Sequence, residues 1–386
     1  MGYAPPEGGS FEMIEPRVVA ELSGAALRNN YEVIQRLVPG LSILPMIKAD
    51  GYGHGATWAA RELLAMPGLY GFGVATLEEG ASLRRELGIP GRRVSIIVFS
   101  GALPWSEEKG RFCEKFQLTP VIASESDWHL FLREKWPERL PYELKFNTGM
   151  NRLGMPPAFA RQIAHALKTK PALWHPRGVL SHLAMAETPG SRVSRLQKEQ
   201  FAFLRAELAG ALPSAHFHLG NSSAIWNEKY WDLKKTTDVV RPGISLYGVP
   251  PWRGAPARGL EAVLELKANV LAVHHLKPGQ SIGYGATFTA KKETTHAAIL
   301  AAGYADGIKR AFSQQGHAWI DGQATRFLGI VSMDLSAVRC TPKARVGDWV
   351  ELLGPHVDPW EQARAAGTIP YELLTSLSGR VQRRVR

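Results

Sequence analysis

Cysteine is scarce in this chain: Cys113 and Cys340 are the only two among 386 residues. Two cysteines so far apart form neither a disulfide framework nor a metal-binding spacing, so we expect no metal site and a reducing compartment. No run of eighteen or more apolar residues occurs, and we therefore expect no membrane partner. The first ten residues have neither the basic nor the apolar segment of an export signal, which predicts a cytoplasmic protein.

Acidic residues are fewer than basic ones, and the formal net charge is +11. Apart from the tail Arg380–Arg386, the basic residues are spread along the chain, as expected of a solvated surface. This charge is the only feature that favours a nucleic-acid-binding module, so we expect no nucleic-acid partner. The charge is compatible with a basic pocket for an anionic ligand.

Short apolar, β-branched or aromatic segments recur through the first two thirds of the chain, and helical patterns such as residues 77–87 fill most of the intervals. Repeated alternation of a strand with a helix predicts an α/β fold, and eight such units predict a (β/α)₈ TIM-type barrel, which we assign to residues 16–257. The eight segments are residues 42–48, 70–76, 94–100, 118–124, 143–147, 176–182, 216–221 and 238–244.

A proline- and glycine-rich stretch at residues 250–259 ends this alternation. The strand-like segments beyond it are joined by turns, which predicts a mostly β C-terminal domain over residues 258–386. Residues 1–15 read as an N-terminal tail, which we group with the β domain. The strand-like segments are residues 262–276, 296–303, 317–321, 325–331 and 348–353.

Polar residues stand where the predicted barrel strands end, and active sites of such barrels lie at the carboxyl ends of the strands. Each alone has an ordinary explanation: His182 as a hydrogen-bonded core residue, Ser222 as a helix N-cap, and Arg241 as a surface ion-pair member. Their convergence on one face favours an active site instead. The set comprises Lys48, Lys145, Asn147, His182, Asn221, Ser222 and Arg241.

Lys48 enters a glycine-rich turn, Lys48-Ala-Asp-Gly-Tyr-Gly-His-Gly55, directly after an apolar segment. A lysine amine can bond covalently to an aldehyde once its pKa is lowered, and glycines let the backbone come close to a ligand. Lysines at strand ends are more often solvated surface charges, so the motif alone would be a weak indication.

Seven separated motifs together resemble the alanine racemase family, pyridoxal-phosphate enzymes built from a barrel and a β domain. The resemblance covers nearly the whole chain. The motifs are Lys48-Ala-Asp-Gly-Tyr-Gly-His-Gly55, Asn147-Thr-Gly-Met-Asn-Arg-Leu-Gly154, Ser181-His182, His218-Leu-Gly-Asn-Ser-Ser223, Arg241-Pro-Gly-Ile-Ser-Leu-Tyr-Gly248, Gly283-Tyr-Gly-Ala-Thr287 and Ser332-Met-Asp334.

By this resemblance, Lys48 and Tyr284 are the catalytic pair. Lys48 would hold pyridoxal 5'-phosphate covalently and act as base on one face of the substrate Cα, with Tyr284 on the other. Racemisation removes a proton from one side of a planar centre and returns one on the opposite side, so two groups are needed. His182 would lie between Tyr284 and Arg241.

The resemblance also implies how the cofactor is bound. Arg241 would face the pyridine nitrogen and keep it unprotonated, whereas decarboxylases sharing the barrel use a carboxylate there. Hydroxyls and free backbone N–H groups are what a phosphate needs. The remaining cofactor-binding residues would be Tyr52, Arg152, Asn221, Ser222, Gly243, Ile244 and Tyr371.

For the substrate, the resemblance implies that Arg152 and the backbone N–H of Met333 bind its carboxylate. Tyr304 would narrow the entrance together with Tyr371. Lys145 would steady Arg152 and is a candidate for carbamylation, and Asp334 would support Met333.

Two positions depart from the family pattern: Asn147, where aspartate is frequent, and Asp50, where asparagine is frequent. Neither touches the implied proton path, so we expect no change of reaction. The expected activity is interconversion of L- and D-alanine, supplying D-alanine as a peptidoglycan precursor. A homodimer is also expected, with Tyr284 and Met333 completing the site of the other subunit.

Two other enzyme-related assignments remain open from the sequence. One is a racemase of broader or different specificity, such as for serine or lysine. The other is a pyridoxal-phosphate carrier protein, which resembles the barrel alone and does not account for the second domain.

Overall fold

The computed structural model describes residues 15–91, 94–136, 140–169 and 176–386. The predicted N-terminal tail lies outside these ranges except for its last residue. The described chain divides into two compact units. A barrel unit comprises residues 23–264 and 370–375, and a β unit comprises residues 15–22, 265–369 and 376–385.

Eight parallel strands form the barrel unit. Six of them, from β3 (Gly71–Val74) to β8 (His216–His218), pair in chain order, and β2 (Ser42–Ile43) pairs with β9 (Val239–Val240). Backbone bridges from Met46 to Gly73 and from Asn221 to Arg241 join β2 to β3 and β8 to β9, so the ring closes. The predicted (β/α)₈ barrel is confirmed. The strands are β2 Ser42–Ile43, β3 Gly71–Val74, β4 Ser95–Val98, β5 Thr119–Ile122, β6 Glu143–Lys145, β7 Gly178–Leu180, β8 His216–His218 and β9 Val239–Val240.

Helices follow the strands of the barrel unit. The first helix begins after Ser23, whose hydroxyl accepts the N–H of Ala26 at 3.1 Å, and it buries Leu27, Tyr31 and Ile34. No helix in the described ranges combines the length and apolar character needed to cross a membrane. The helices are α1 Gly24–Leu37, α2 Lys48–Tyr52, α3 Ala56–Leu63, α4 Leu77–Gly91, α5 Glu107–Phe116, α6 Glu125–Arg133, α7 Ala160–Thr169, α8 Arg192–Leu208, α9 Ser222–Trp226, α10 Glu228–Trp231, α11 Leu233–Thr236 and α13 Pro370–Thr375; α12, Pro359–Ala365, belongs to the β unit.

The barrel interior is filled by apolar side chains from different strands, including Leu44, Ile97, Val121, Leu180 and Val239. Strands of a closed parallel sheet are covered on both faces, which explains their continuous apolar runs. Polar side chains can therefore enter the barrel only near its ends, and the candidate site lies at the carboxyl end.

The β unit is built on an eight-stranded sheet in the order β13-β16-β15-β14-β17-β10-β1-β18. A further pairing of β10 with β13 closes six of these strands into a ring. The predicted mostly β domain is confirmed. Its strands are β1 Val18–Leu22, β10 Leu264–Leu276, β11 Ser281–Ile282, β12 Phe288–Thr289, β13 Thr295–Leu300, β14 His317–Ile320, β15 Gln323–Leu328, β16 Ser336–Arg339, β17 Trp349–Leu353 and β18 Gln382–Val385.

We predict that Gly53→Ala destabilises the barrel unit strongly. Gly53 has φ +83°, and a Cβ there would lie 2.1 Å from the carbonyl oxygen of Leu374. The backbone must then move, so the free energy of unfolding measured in urea should fall by more than about 2 kcal/mol. Gly40→Ala is the matched control, because Gly40 has φ +85° and open space around it. In Gly40→Ala, the free energy of unfolding should fall by about 1 kcal/mol. Equal losses at the two positions would contradict the prediction.

Candidate active site

A cavity of about 640 Å³ opens in the barrel unit. All its lining residues belong to this unit, and most stand at or just beyond the carboxyl ends of the strands. The predicted site residues that it brings together are Lys48, Tyr52, Lys145, Arg152, His182, Asn221, Ser222, Arg241, Gly243, Ile244 and Tyr371.

The other predicted site residues belong to the β unit and are largely exposed, Tyr284 at 72% and Met333 at 52%. Hydrogen bonds join the loops of Tyr304 and Met333: Tyr304 N–H donates to the carbonyl of Ser332 at 3.0 Å, and Ala305 N–H to that of Met333 at 2.9 Å. Asp334 accepts from Arg380 at 2.8 Å. These contacts place Tyr304, Met333 and Asp334 side by side.

The turn that follows Lys48 is left-handed. Ala49, Asp50, Gly51 and Tyr52 have φ angles of 51°, 49°, 62° and 54°. Three of them are not glycine, and each such residue costs roughly 1–2 kcal/mol in this conformation. Strain of this kind persists only where the surroundings hold it.

Two carboxylates hold the turn. Asp50 accepts the N–H of Ala56 at 2.9 Å, and Glu79 accepts the N–H of Ala49 at 2.7 Å. Glu79 also lines the cavity. The glycine-rich motif predicts a turn, but neither its left-handed course through Ala49 and Asp50 nor the role of Glu79.

Hydrogen-bond donors gather around Gly243. The Ser222 hydroxyl accepts the Gly243 N–H at 3.1 Å, and the Tyr52 hydroxyl would be 2.3 Å from a Cβ at this glycine. The Tyr52 ring stacks on Tyr247 at 5.1 Å and lies 6.0 Å from the ring of Tyr371. Burial raises the pKa of Tyr52, and that of Tyr371 to about 12, so both phenols stay protonated and can donate. Such a cluster of donors fits a phosphate group.

Arg241 is buried, and its guanidinium donates to three backbone carbonyls: that of His218 at 2.6 Å, that of Leu219 at 3.5 Å, and that of Ser181. These contacts fix its plane. Burial lowers the pKa of Arg241 to about 10, so it remains a cation at neutral pH. The pKa of His182 is held well below its usual value by burial and by the charge of Arg241, so the imidazole is neutral.

Four cations, Lys48, Lys145, Arg152 and Arg241, line the cavity, against Glu79 as the one carboxylate among its described lining residues. Burial and then the charge of Arg152 lower the pKa of Lys48, while burial and then the charges of Arg152, Arg241 and Lys48 lower that of Lys145 to about 8. The site therefore suits an anionic ligand and supplies amines of lowered pKa.

Asn147 and Asp50, the two departures from the family pattern, both accept hydrogen bonds from backbone N–H groups. Asn147 accepts the N–H groups of Gly149 at 3.1 Å and Asn151 at 2.9 Å, shaping the loop that carries Arg152. Asp50 uses one carboxylate oxygen for Ala56. The Asn147 amide also donates to Asn151 Oδ1 at 2.9 Å, a bond that an aspartate could not make, whereas the contact from Asp50 to Ala56 needs one acceptor oxygen, which an asparagine also has. Within the described residues, no group of three or more histidine, cysteine or acidic side chains could hold a metal ion.

The barrel, its lysine-bearing cationic cavity and the separate β unit define a two-unit barrel enzyme. The family model described as alanine racemase, N-terminal domain, matches residues 22–251, and that described as alanine racemase, C-terminal domain, matches residues 263–385. The chain belongs to the alanine racemase family.

Individual relatives agree with this membership. An alanine racemase of Nitrosococcus oceani is 36% identical over 94% of this chain and 98% of its own length. The crystal structure of the biosynthetic alanine racemase from Pseudomonas aeruginosa has a TM-score of 0.83 at 31% identity, covering 96% of this chain and 100% of its own. That of the Bartonella henselae enzyme, with covalently bound pyridoxal phosphate, has a TM-score of 0.82 at 29% identity, with the same coverage.

We predict that Lys145→Met stabilises the ligand-free protein. A lysine whose pKa falls from 10.5 to about 8 on folding loses roughly 3 kcal/mol of stability at neutral pH. Removing the charge should recover a large part of this in urea unfolding. The unfolded chain binds the extra proton between pH 8 and 10.5, so stability rises there and the gain should shrink as pH rises through that window.

Lys168→Met is the control for this measurement, because Lys168 is exposed on α7. Its unfolding free energy should stay within about 0.5 kcal/mol of the parent protein. A Lys145→Met protein less stable than the parent at pH 7 would contradict the prediction.

Proposed function

We propose that this chain interconverts L-alanine and D-alanine with pyridoxal 5'-phosphate bound in the barrel cavity. The observation that carries the proposal is Lys48, an amine of lowered pKa at the end of a barrel strand, inside a cationic cavity with donors suited to phosphate. Family membership supplies the reaction. The relatives named above are alanine racemases, so a preference for serine or lysine is not favoured.

The cavity offers each contact that the cofactor needs. Lys48 would hold its aldehyde carbon covalently. The hydroxyls of Tyr52, Ser222 and Tyr371 would donate hydrogen bonds to its phosphate, together with the N–H groups of Ile244 and Gly243, the latter of which donates to Ser222 Oγ here. Asn221 fixes the loop before Ser222 by accepting the N–H of Ala224 at 3.0 Å. When bound, pyridoxal phosphate supplies the electron sink that stabilises negative charge at the substrate Cα.

Arg241 limits side reactions of that electron sink. Its guanidinium stays charged and is held in place by backbone carbonyls. As a permanent donor facing the pyridine nitrogen, Arg241 would keep that nitrogen unprotonated, which would weaken the sink and disfavour transamination. Neutral His182 beside Arg241 can transmit a hydrogen bond without adding another positive charge.

Two side chains move the proton at Cα. Lys48 takes or returns it on one face, and the lowering of its pKa by burial and by the charge of Arg152 favours the deprotonated form that a base needs. Tyr284 serves the opposite face from the exposed end of the β unit. Both directions of the reaction use the same pair, with the roles of acid and base exchanged.

The substrate carboxylate is bound by Arg152 and by the backbone N–H of Met333. Lys145 lies in the same cluster of charges as Arg152 and supports it, and Asp334 supports Met333. An amine with a pKa of about 8 is nucleophilic enough to be carbamylated, which would turn Lys145 into an anion. Tyr304 and Tyr371 narrow the entrance to the size of alanine.

The enzyme acts as a homodimer in which Tyr284 and Met333 of each subunit complete the site of the other. Support comes from the need for two opposite proton-transfer groups and from the exposure of Tyr284 at 72%. We place the enzyme in the cytoplasm, where D-alanine enters peptidoglycan precursors.

We predict that Lys48→Ala abolishes covalent cofactor attachment and lowers L- to D-alanine turnover by at least about a thousandfold. The measurements are the visible absorbance of bound cofactor, the protein mass after borohydride reduction, and chiral analysis of the product. Lys168→Ala should retain both properties. Turnover that survives in Lys48→Ala would refute the role of Lys48, and a parent protein that attaches the cofactor without turnover would favour a carrier protein.

Mixing two inactive variants tests the shared site. In a mixed dimer of Lys48→Ala and Tyr284→Phe chains, one of the two sites has both groups. Random assembly should therefore restore about a quarter of the parent turnover, while neither variant alone is active. Native mass spectrometry would verify the mixed dimer, and mixed dimers without activity would show that each site uses one chain only.

A further inference from the structure

Glu79 makes three hydrogen bonds through one carboxylate. One oxygen, Oε1, accepts the N–H of Ala49 at 2.7 Å. The other, Oε2, accepts the N–H groups of Ala75 at 2.7 Å and Thr76 at 3.2 Å. The side chain thus joins the start of helix α4 to the residue directly after Lys48.

Half of this arrangement is ordinary helix capping. In Thr76-Leu-Glu-Glu79, the Thr76 hydroxyl accepts the N–H of Glu79 at 3.2 Å while Glu79 reaches back to Thr76. This reciprocal pattern is a capping box, and it needs only Oε2. The bond from Oε1 to Ala49 contributes nothing to the helix.

The bond to Ala49 instead falls where the backbone is most strained. Ala49 is the first of five successive residues with positive φ, Ala49 to Gly53, and it lacks the conformational freedom of glycine. The far end of the turn is held by Asp50 on Ala56, and the near end by Glu79. Lys48 precedes the turn and Tyr52 lies within it, so the direction of both side chains depends on this backbone.

The charge of Glu79 also acts on the Lys48 amine. Lys48 faces Arg152, Lys145 and His182 besides Glu79. Among these, only Glu79 favours the protonated amine, whereas burial and Arg152 oppose it. A neutral side chain at position 79 would therefore leave Lys48 easier to deprotonate.

We propose that Glu79 is a positioning residue of the cofactor site: its carboxylate holds the left-handed turn after Lys48, and thereby directs Lys48 and Tyr52 towards pyridoxal phosphate. The inference rests on the proposed function of Lys48. It concerns how the chain prepares the amine and not the chemistry that follows.

Glu79→Gln is the informative variant. An amide has one acceptor and one donor end, so it cannot accept from Ala49 on one side and from Ala75 and Thr76 on the other. Glu79→Asp keeps the charge but is one methylene shorter. It therefore distinguishes the effect of side-chain length from the effect of charge. Thr76→Ala weakens the cap of α4 without touching the bond to Ala49, and Glu78→Gln removes an exposed charge from the same helical turn.

The first measurement uses the ligand-free protein. Hydrogen exchange of the segment 47–56 should be about tenfold faster in Glu79→Gln than in the parent, because a hydrogen bond to a charged group is lost. Glu79→Asp should show the same loss of protection. Thr76→Ala and Glu78→Gln should exchange like the parent, although Thr76→Ala should unfold at a lower temperature.

The second measurement adds pyridoxal phosphate and follows covalent attachment at Lys48 by peptide mass after borohydride reduction. Glu79→Gln should bind about tenfold more weakly, and the pH midpoint of attachment should move downward. Glu79→Asp should keep the parent midpoint.

Parent-like exchange and attachment in Glu79→Gln would overturn the inference, and so would equal defects in Thr76→Ala, since helix capping would then explain them. A parent protein that attaches no pyridoxal phosphate at Lys48 would instead refute the proposed function, on which the inference depends. The two failures are distinguishable because the parent protein is measured before any variant.

Discussion

Closure of eight parallel strands into a ring is the constraint on which the barrel unit depends. Because the strands run in one direction, all their carboxyl ends meet at one rim. Lys48, Lys145, His182 and Arg241 are separated by up to almost two hundred residues in the chain, yet they line one cavity. Apolar side chains fill much of the interior below them, and the charged side chains that line the cavity stand at this rim.

Gathering cations at the rim works against stability and in favour of reactivity. Lys48 and Lys145 are partly desolvated and face other positive charges, so their pKa values fall. An anionic ligand would relieve this repulsion on binding. The same electrostatics therefore weakens the ligand-free fold, favours an anionic ligand in the cavity, and lowers the pKa of the Lys48 amine that we propose as nucleophile and base.

The sequence predicts those features of the fold and the site that a local residue pattern encodes. Apolar segments and the helices between them mark the eight strands, and the segment ends mark Lys48, His182 and Arg241. Contacts between distant segments leave no such signal: the capping box of Thr76 and Glu79 is a local pattern, but the contact from Glu79 to Ala49 is not. The left-handed course of Ala49 and Asp50 contradicts their own preferences, and only the surrounding bonds permit it. Likewise, no local pattern indicates that β1 pairs in parallel with β18.

The phenols of the barrel cavity limit where a second base can come from. Burial raises the pKa values of Tyr52 and Tyr371, so both act as hydrogen-bond donors and are poor bases at neutral pH. His182 has its pKa lowered by burial and by the charge of Arg241, and we propose it as a neutral link. Inversion at Cα needs a group opposite Lys48. We propose Tyr284 of the β unit for this task and a dimer for the complete site, because the family pattern implies both and the Tyr284 phenol is exposed.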